Sequence, residues 1–234
     1  MPISNLQLAT LSKPAVPTWV QGVWRREHIR TDGATRDDAF VVWIQTPILF
    51  ADLRCPYEDD DAKPEGFAGW LEVEGQICRW HRPIDLHPGP EGADQGAMFV
   101  DGDLMLETGL FRNYLEQYRR IAPPRRQFAA SRGEFSIKNG KPWFSSEGRL
   151  ELVVAVDDHV IHAIRDGASA LRYCRLDSSG ESFASVHTVG PCLAEDSSSQ
   201  DWIVWVDEFD DSADLLSALR TAQLAGLIVK PVED

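Results

Sequence analysis

The chain has 234 residues, 43% of them hydrophobic and 26% charged, which is the composition of an ordinary globular protein. Its formal net charge of −14 at pH 7 argues against nucleic acid and anionic membranes as partners, because both repel an acidic surface. No apolar run reaches the length of a transmembrane helix, and residues 1–17 lack the basic start and long apolar core of a signal peptide. We therefore expect a cytoplasmic protein.

Strand patterns with short turns follow one another from Gly22 to Arg120, and turn dipeptides such as Asp32-Gly33, Glu74-Gly75 and Asp101-Gly102 separate them. The predicted strands are 22–29, 40–45, 48–54, 67–74, 76–82, 97–100, 104–108 and 110–119, of which the last also shows helical spacing. About eight strands in roughly a hundred residues predict a closed antiparallel meander barrel, residues 18–122.

Pro123-Pro124 marks the predicted boundary of this barrel, and strand patterns resume beyond it. Turn signals include Asn139-Gly140, Asp157-Asp158 and 178–180, and a late strand is predicted at 202–206. Asp211 or Ser212 is suited to cap a short helix that runs to about Leu224, and 227–232 is a candidate last strand. Residues 127–234 are therefore predicted to form a second barrel, or a β-rich domain with a C-terminal helix.

Gly22-Val23-Trp24 resembles the Gly-x-Trp signature that opens lipocalin-like (calycin) barrels, and the meander order and strand count agree with that family. In this family the tryptophan packs at the closed end of the barrel, often beneath an arginine from a late strand. Arg112, Arg119 and Arg120 are the candidates here. The resemblance covers about residues 20–120 and, more faintly, 130–232. A chain with two such barrels in tandem is similar to some uncharacterised microbial and fungal proteins. The resemblance to lipocalin-like barrels implies binding of a small, mostly apolar molecule without catalysis.

Alternation along the strands predicts charged side chains inside the first barrel. Trp24, Arg26 and His28 share one face of the first strand, so all three point inward if Trp24 does. In the third strand Phe50, Asp52 and Arg54 share a face, opposite the apolar Leu49, Ala51 and Leu53. Inward charges must be paired or reach water, and the candidate partners for Arg26 and Arg54 are Asp52, Glu107 and Glu116.

Three interpretations of these charges remain open. The first is the polar floor of a ligand pocket, where Arg26 or Arg54 holds a carboxylate or phosphate group. The second is a set of ordinary ion pairs on the outer face of the barrel. The third is a sealed internal network of ion pairs without a ligand.

The predicted ligand site combines apolar walls with polar contacts, namely Trp24, Trp43, Phe50, Arg26, His28, Arg54, Glu107 and Tyr114. We expect it to bind an apolar or amphipathic molecule, anionic ones included, without catalysis. One alternative is a barrel isomerase or lyase with Glu107, Glu116 or His28 as its acid–base group. The other is an interaction scaffold with filled barrels. The oligomeric state is left open.

No metal or cofactor is predicted. The histidines lack the spacing of a metal centre, and no phosphate-binding loop, dinucleotide motif or serine-nucleophile motif is present. The four cysteines, Cys55, Cys78, Cys174 and Cys192, form no C-x-x-C pair. We expect free and mostly buried thiols, with two disulfides as the alternative for an exported protein.

Overall fold

The computed structural model describes residues 7–8, 16–57, 63–89, 94–138, 141–176, 183–191 and 202–209. These parts consist of strands and their connections, so the fold class is all-β. They contain no helix with the length and apolar character needed to cross a membrane. The predicted helix ending near Leu224 and the predicted strand 227–232 lie outside the described residues.

The strands are numbered in chain order. They are β1 (Gln7–Leu8), β2 (Gly22–Thr31), β3 (Ala34–Arg36), β4 (Ala39–Gln45), β5 (Leu49–Pro56), β6 (Glu65–Glu74), β7 (Ile77–Asp85), β8 (Gln95–Asp101), β9 (Leu104–Gly109), β10 (Tyr114–Ala122), β11 (Gln127–Gly133), β12 (Phe135–Lys138), β13 (Lys141–Phe144), β14 (Leu150–Val156), β15 (His159–Asp166), β16 (Ala168–Leu176), β17 (Phe183–Val189) and β18 (Ile203–Asp207).

Eight of these strands close into the predicted antiparallel barrel. Each strand from β4 to β10 pairs with its neighbour along the chain, β4 pairs with β2, and β10 returns to pair with β2. The hairpin turns predicted at Glu74-Gly75 and Asp101-Gly102 join β6 to β7 and β8 to β9. The segment with ambiguous spacing, 110–119, is a strand from Tyr114 onward rather than a helix.

Gly22 begins β2 at the seam where the barrel closes. Its φ of +122° is one that residues with a side chain rarely adopt, and an added Cβ would lie 2.7 Å from the carbonyl oxygen of Ala122. The glycine of the Gly-x-Trp motif is therefore required by the close approach of β10 to the start of β2.

The tryptophan of the motif, Trp24, fills the end of the barrel near the start of β2. It is fully buried, and its Nε1 donates a hydrogen bond of 2.8 Å to the carbonyl oxygen of Val20. The Arg120 guanidinium lies 4.4 Å from the ring centroid of Trp24 and donates to the carbonyl oxygen of Trp19 at 2.8 Å. Of the three arginines considered, Arg120 is thus the one that covers this tryptophan.

A β-bulge in β2 changes which side chains face the barrel interior. Arg26 and His28 pair with two consecutive residues of β10, so Glu27 is an extra residue in β2. An extra residue reverses the alternation of the side chains beyond it. Arg26 is therefore buried in the interior, His28 is exposed, and Ile29 faces the interior. The prediction that His28 shares the inner face with Trp24 is wrong for this reason.

A second sheet covers part of the outer wall of the barrel. Its seven strands have the order β1-β18-β11-β14-β15-β16-β17, and β12 and β13 form a separate hairpin. Outward-facing Ile44, Leu49 and Leu53 of the barrel share one apolar core with Leu152 and Val154 of β14. In the parts of the chain that the structure describes, β17 and β1 are unpaired edges, so this sheet is not seen to close into a second barrel.

Candidate functional site

The barrel holds a cavity of about 300 Å³ at the end opposite Trp24. The two ends of the barrel differ along β2. Trp24 fills the end near the start of this strand, whereas Ile29 and Thr31 border the cavity at the other end. The lining consists of Ile29, Thr31, Trp43, Asp52, Arg54, Glu65, Phe67, Trp80, Arg82, Asp94, Glu107, Arg112, Asn113, Tyr114 and Glu116. The barrel is therefore filled at one end and open at the other.

Glu116 of β10 is the centre of an ion-pair network on one wall. Its Oε1 accepts from Arg26 Nη1 at 2.8 Å and from Arg54 Nη1 at 3.3 Å, and its Oε2 accepts from the Tyr118 hydroxyl at 2.8 Å. Only 2% of Glu116 is exposed. Burial alone would raise the pKa of Glu116, but Arg54 and Arg26 outweigh it and hold this pKa below its usual value.

Both arginines of this network have a second carboxylate partner. Arg54 Nε lies 2.8 Å from Asp52 Oδ1, and Arg26 pairs with Asp38. Burial raises the pKa of Asp52, while the charge of Arg54 opposes that rise. Arg26 and Arg54 therefore face inward, as two of the three sequence interpretations require, and their charges are balanced by carboxylates of the protein.

Glu107 of β9 is a carboxyl group of a different kind. It lines the same cavity and is 6% exposed, but no arginine, lysine or histidine of the described residues lies within 4 Å of it. Its Oε1 accepts a hydrogen bond of 2.8 Å from the Tyr114 hydroxyl. Burial, reinforced by the negative charge of Glu116, raises the pKa of Glu107 from 4.5 to about 8. The predicted pairing of Glu107 with Arg26 or Arg54 is wrong, because Tyr114 takes that place.

Aromatic rings form the apolar part of the cavity wall. Trp43, Phe67 and Trp80 line it, and Phe50 lies behind them, edge to face with Phe67 at a centroid distance of 6.0 Å. The Nε1 of Trp43 is buried and has no hydrogen-bond partner among the described residues. The cavity thus presents aromatic side chains and a carboxyl group to an occupant.

Arg82 of β7 stands at the mouth of the cavity. It pairs with Asp85 at 3.2 Å and with Asp94 at 3.1 Å, and its guanidinium lies 4.5 Å from the ring centroid of Phe67. Arg112 is exposed on the other side of the mouth, where no carboxylate of the described residues lies within 4 Å. Charges of both signs therefore surround the entrance.

The structure places four of the eight predicted site residues in the wall of the cavity. Trp43, Arg54, Glu107 and Tyr114 line the cavity, whereas Arg26 and Phe50 lie in the barrel interior behind the lining. Trp24 lies at the closed end, and His28 lies outside. The sequence did not single out Phe67, Arg82 or Asp94 for the site. The alternation of Trp80 and Arg82 in β7 was the signal that placed both on one face, whereas no pattern places the loop residue Asp94.

No family model, curated protein or solved structure matches this chain. The fold and the cavity are therefore the observations from which a function is inferred. Within the described parts of the chain, no three His, Cys, Asp or Glu side chains gather in a way that would hold a metal ion.

A second and wider cavity, of about 680 Å³, lies between the barrel and the second half of the chain. Its wall includes Trp70, whose ring stacks on His81 at a centroid distance of 3.6 Å, and Trp143, which is 5.8 Å from Trp70. Arg165 ties the two halves together there, because it donates to the carbonyl oxygens of Pro83 and Ser145 at 2.7 Å. Arg82 lines both cavities and so forms part of the partition between them.

Proposed function

We propose that the protein binds a small amphipathic molecule in the open end of a lipocalin-like barrel, without catalysing a reaction. The observation that carries this proposal is the cavity of about 300 Å³, which combines aromatic walls with the carboxyl group of Glu107. Its volume lies at the lower end of the range of ~300–1000 Å³ for ligand pockets, so the ligand is small.

Two features of the barrel support the lipocalin-like assignment. Gly22 is needed at the seam because a side chain there would collide with the backbone of β10. Trp24 is covered by Arg120 from β10, the last strand of the barrel. In lipocalin-like barrels such a closed end leaves the opposite end for the ligand, and here the cavity lies at that opposite end. The open cavity also makes a filled scaffold barrel the weaker interpretation.

The test compares ligand capture by two tryptophan variants of the full chain. Thr31 borders the cavity and Thr35 is exposed on β3, so Thr31→Trp blocks the mouth and Thr35→Trp is the matched control. We expect native mass spectrometry, or ligand-observed NMR with a library of small amphipathic compounds, to detect a bound molecule in wild type and Thr35→Trp. Thr31→Trp loses it. Binding that survives in Thr31→Trp, or a library without any binder, refutes the proposal.

One observation also favours a second candidate, a barrel isomerase or lyase. Glu107 combines access to the cavity with a pKa of about 8, which suits a group that gives and takes a proton near neutral pH. The other two acid–base candidates have lost their support, because Glu116 is neutralised by arginines and His28 is exposed outside the cavity. NMR detection of chemical change in a bound compound, lost in Glu107→Gln, would establish this function in place of simple binding.

A further inference from the structure

We propose that the ligand of the barrel cavity is a small organic amine, whose ammonium group pairs with the carboxylate of Glu107. This inference rests on the proposed function, since it names the ligand class for the same cavity. It depends on the charge balance of the lining, the surroundings of Glu107 and the aromatic walls.

The lining holds more carboxylates than cations. Its cations are Arg54, Arg82 and Arg112, and its carboxylates besides Glu107 are Asp52, Glu65, Asp94 and Glu116. Arg54 is held by Asp52 and Glu116, and Arg82 is held by Asp94 and by Asp85 behind the lining. An anionic ligand would enter a surface with surplus negative charge and would compete with the existing partners of Arg54 and Arg82. Arg112 has no such partner among the described residues, but it is exposed at the mouth, so inside the cavity a cationic ligand supplies the charge that is lacking.

Glu107 is the carboxyl group whose partner is missing. Glu116 and Asp52 each have an arginine, but within the described residues Glu107 has only the neutral hydroxyl of Tyr114. An ionised carboxylate that is 6% exposed and has no cation is costly, so Glu107 either keeps its proton or acquires a cation from outside. Tyr114 occupies Oε1, and the remaining acceptor positions of the carboxylate suit an ammonium group.

Aromatic side chains complete a site for an organic cation. Trp43 and Trp80 line the cavity together with Glu107, and such rings attract an ammonium group and cover the hydrocarbon part of a ligand. Phe67 already shows this preference in the structure, because the guanidinium of Arg82 lies 4.5 Å from its ring centroid.

Binding of the amine is expected to release a proton. Burial raises the pKa of Glu107 to about 8, so roughly nine-tenths of this group is protonated at pH 7. When the ammonium group arrives, the Glu107 carboxyl O–H bond breaks, its proton passes to the buffer and the carboxylate–ammonium pair forms. The other titratable or charged groups that act on Glu107 are Glu116, Tyr114, Arg54, Asp94, Cys78 and Tyr118.

The experiment is calorimetric titration of the full chain with three probes that share one apolar body, 2-phenylethylamine, 2-phenylethanol and phenylacetate. We expect the amine to bind at least tenfold more tightly than the alcohol at pH 7, and phenylacetate to bind more weakly than both. Titrations in phosphate and MOPS buffers measure the proton release, expected to be about 0.9 per amine. The affinity for the amine rises about tenfold from pH 7 to pH 9 as Glu107 ionises, while that for the alcohol stays constant.

Glu107→Gln is the decisive variant, with exposed Glu147→Gln as its matched control. In Glu107→Gln the amine loses its advantage and its proton release, whereas retained binding of 2-phenylethanol shows that the fold and cavity are intact. Glu147→Gln behaves as wild type. If the alcohol or phenylacetate binds wild type as tightly as the amine, the amine inference is overturned while the proposed function stands. If none of the probes binds, the inference is overturned, and the Thr31→Trp comparison decides the proposed function separately.

Discussion

Replacing Glu107 by glutamine is expected to stabilise the protein at pH 7, although the variant alters a buried side chain. The reason is that burial next to Glu116 makes ionisation of Glu107 unfavourable in the folded protein but not in the unfolded chain. Glutamine has the same shape, never ionises, and keeps an oxygen that accepts the hydrogen bond from Tyr114.

The size of the effect follows from the two pKa values. The pKa of Glu107 is 4.5 in the unfolded chain and about 8 in the folded protein. Between these two pH values the folded protein holds a proton that the unfolded chain releases. Over that interval the free energy of unfolding of the wild type falls by about 1.4 kcal/mol per pH unit as the pH rises. The difference from the variant is thus absent below pH 4.5 and amounts to about 3 kcal/mol at pH 7. It reaches about 5 kcal/mol at pH 8 and above, where it levels off.

Urea denaturation followed by tryptophan fluorescence measures this difference. The three proteins compared at pH 5, 7 and 9 are wild type, Glu107→Gln and the exposed control Glu147→Gln. Their free energies of unfolding are compared where the dependence on urea concentration has the same slope. We expect the Glu107→Gln midpoint to exceed the wild-type midpoint at pH 7 and by more at pH 9, while the control follows wild type throughout. A Glu107→Gln variant less stable than wild type at pH 7 would refute the reasoning, since the carboxylate would then be ionised and paired.

Three further predictions concern residues of the barrel on β10, β6 and β7. Glu116→Gln is expected to lower the free energy of unfolding at pH 7 by about 3 kcal/mol, because Arg26 and Arg54 lose a buried charge partner; an unchanged urea midpoint would contradict this. Gly69 lies at an irregularity in the pairing of β6 with β7, where Gly69→Ala places a Cβ 1.9 Å from the carbonyl oxygen of His81. We expect the free energy of unfolding to fall by at least ~2 kcal/mol in the same assay, and a neutral result would show that the irregularity adapts. Cys78 is fully buried, and burial raises its pKa to about 12, so a disulfide reagent at pH 8 should label it in urea but not in the native protein, as peptide mapping will show.

Strand β5 shows what could be predicted from the sequence alone. Its alternation places Phe50, Asp52 and Arg54 in the barrel interior, and no irregularity interrupts the pairing of β5 with either neighbour. In such a strand the period of two determines the face on which every side chain lies. The inward charges and the ion pair of Arg54 could therefore be predicted.

The failures lie where the chain departs from that period. The extra residue Glu27 moves His28 out of the barrel, and a second extra residue, Ile121, follows Arg120 in β10. Neither bulge leaves a mark in the amino-acid pattern, because neither Glu27 nor Ile121 is a glycine or a proline, the residues that signal an irregular strand. The loop residue Asp94 joins the site through the path of the backbone, for which alternation gives no information.

The apolar outer wall of the barrel has a consequence for the order of synthesis. Leu49 and Leu53 are synthesised early, but the strands that pack over them, β14 to β17, are synthesised later, and β17 ends at Val189. Translation at about 5–20 residues per second separates the end of β10 from the end of β17 by roughly 3 to 13 seconds. During this interval the apolar outer wall of the nascent barrel is uncovered, and exposed apolar surface of this kind makes folding intermediates prone to aggregation.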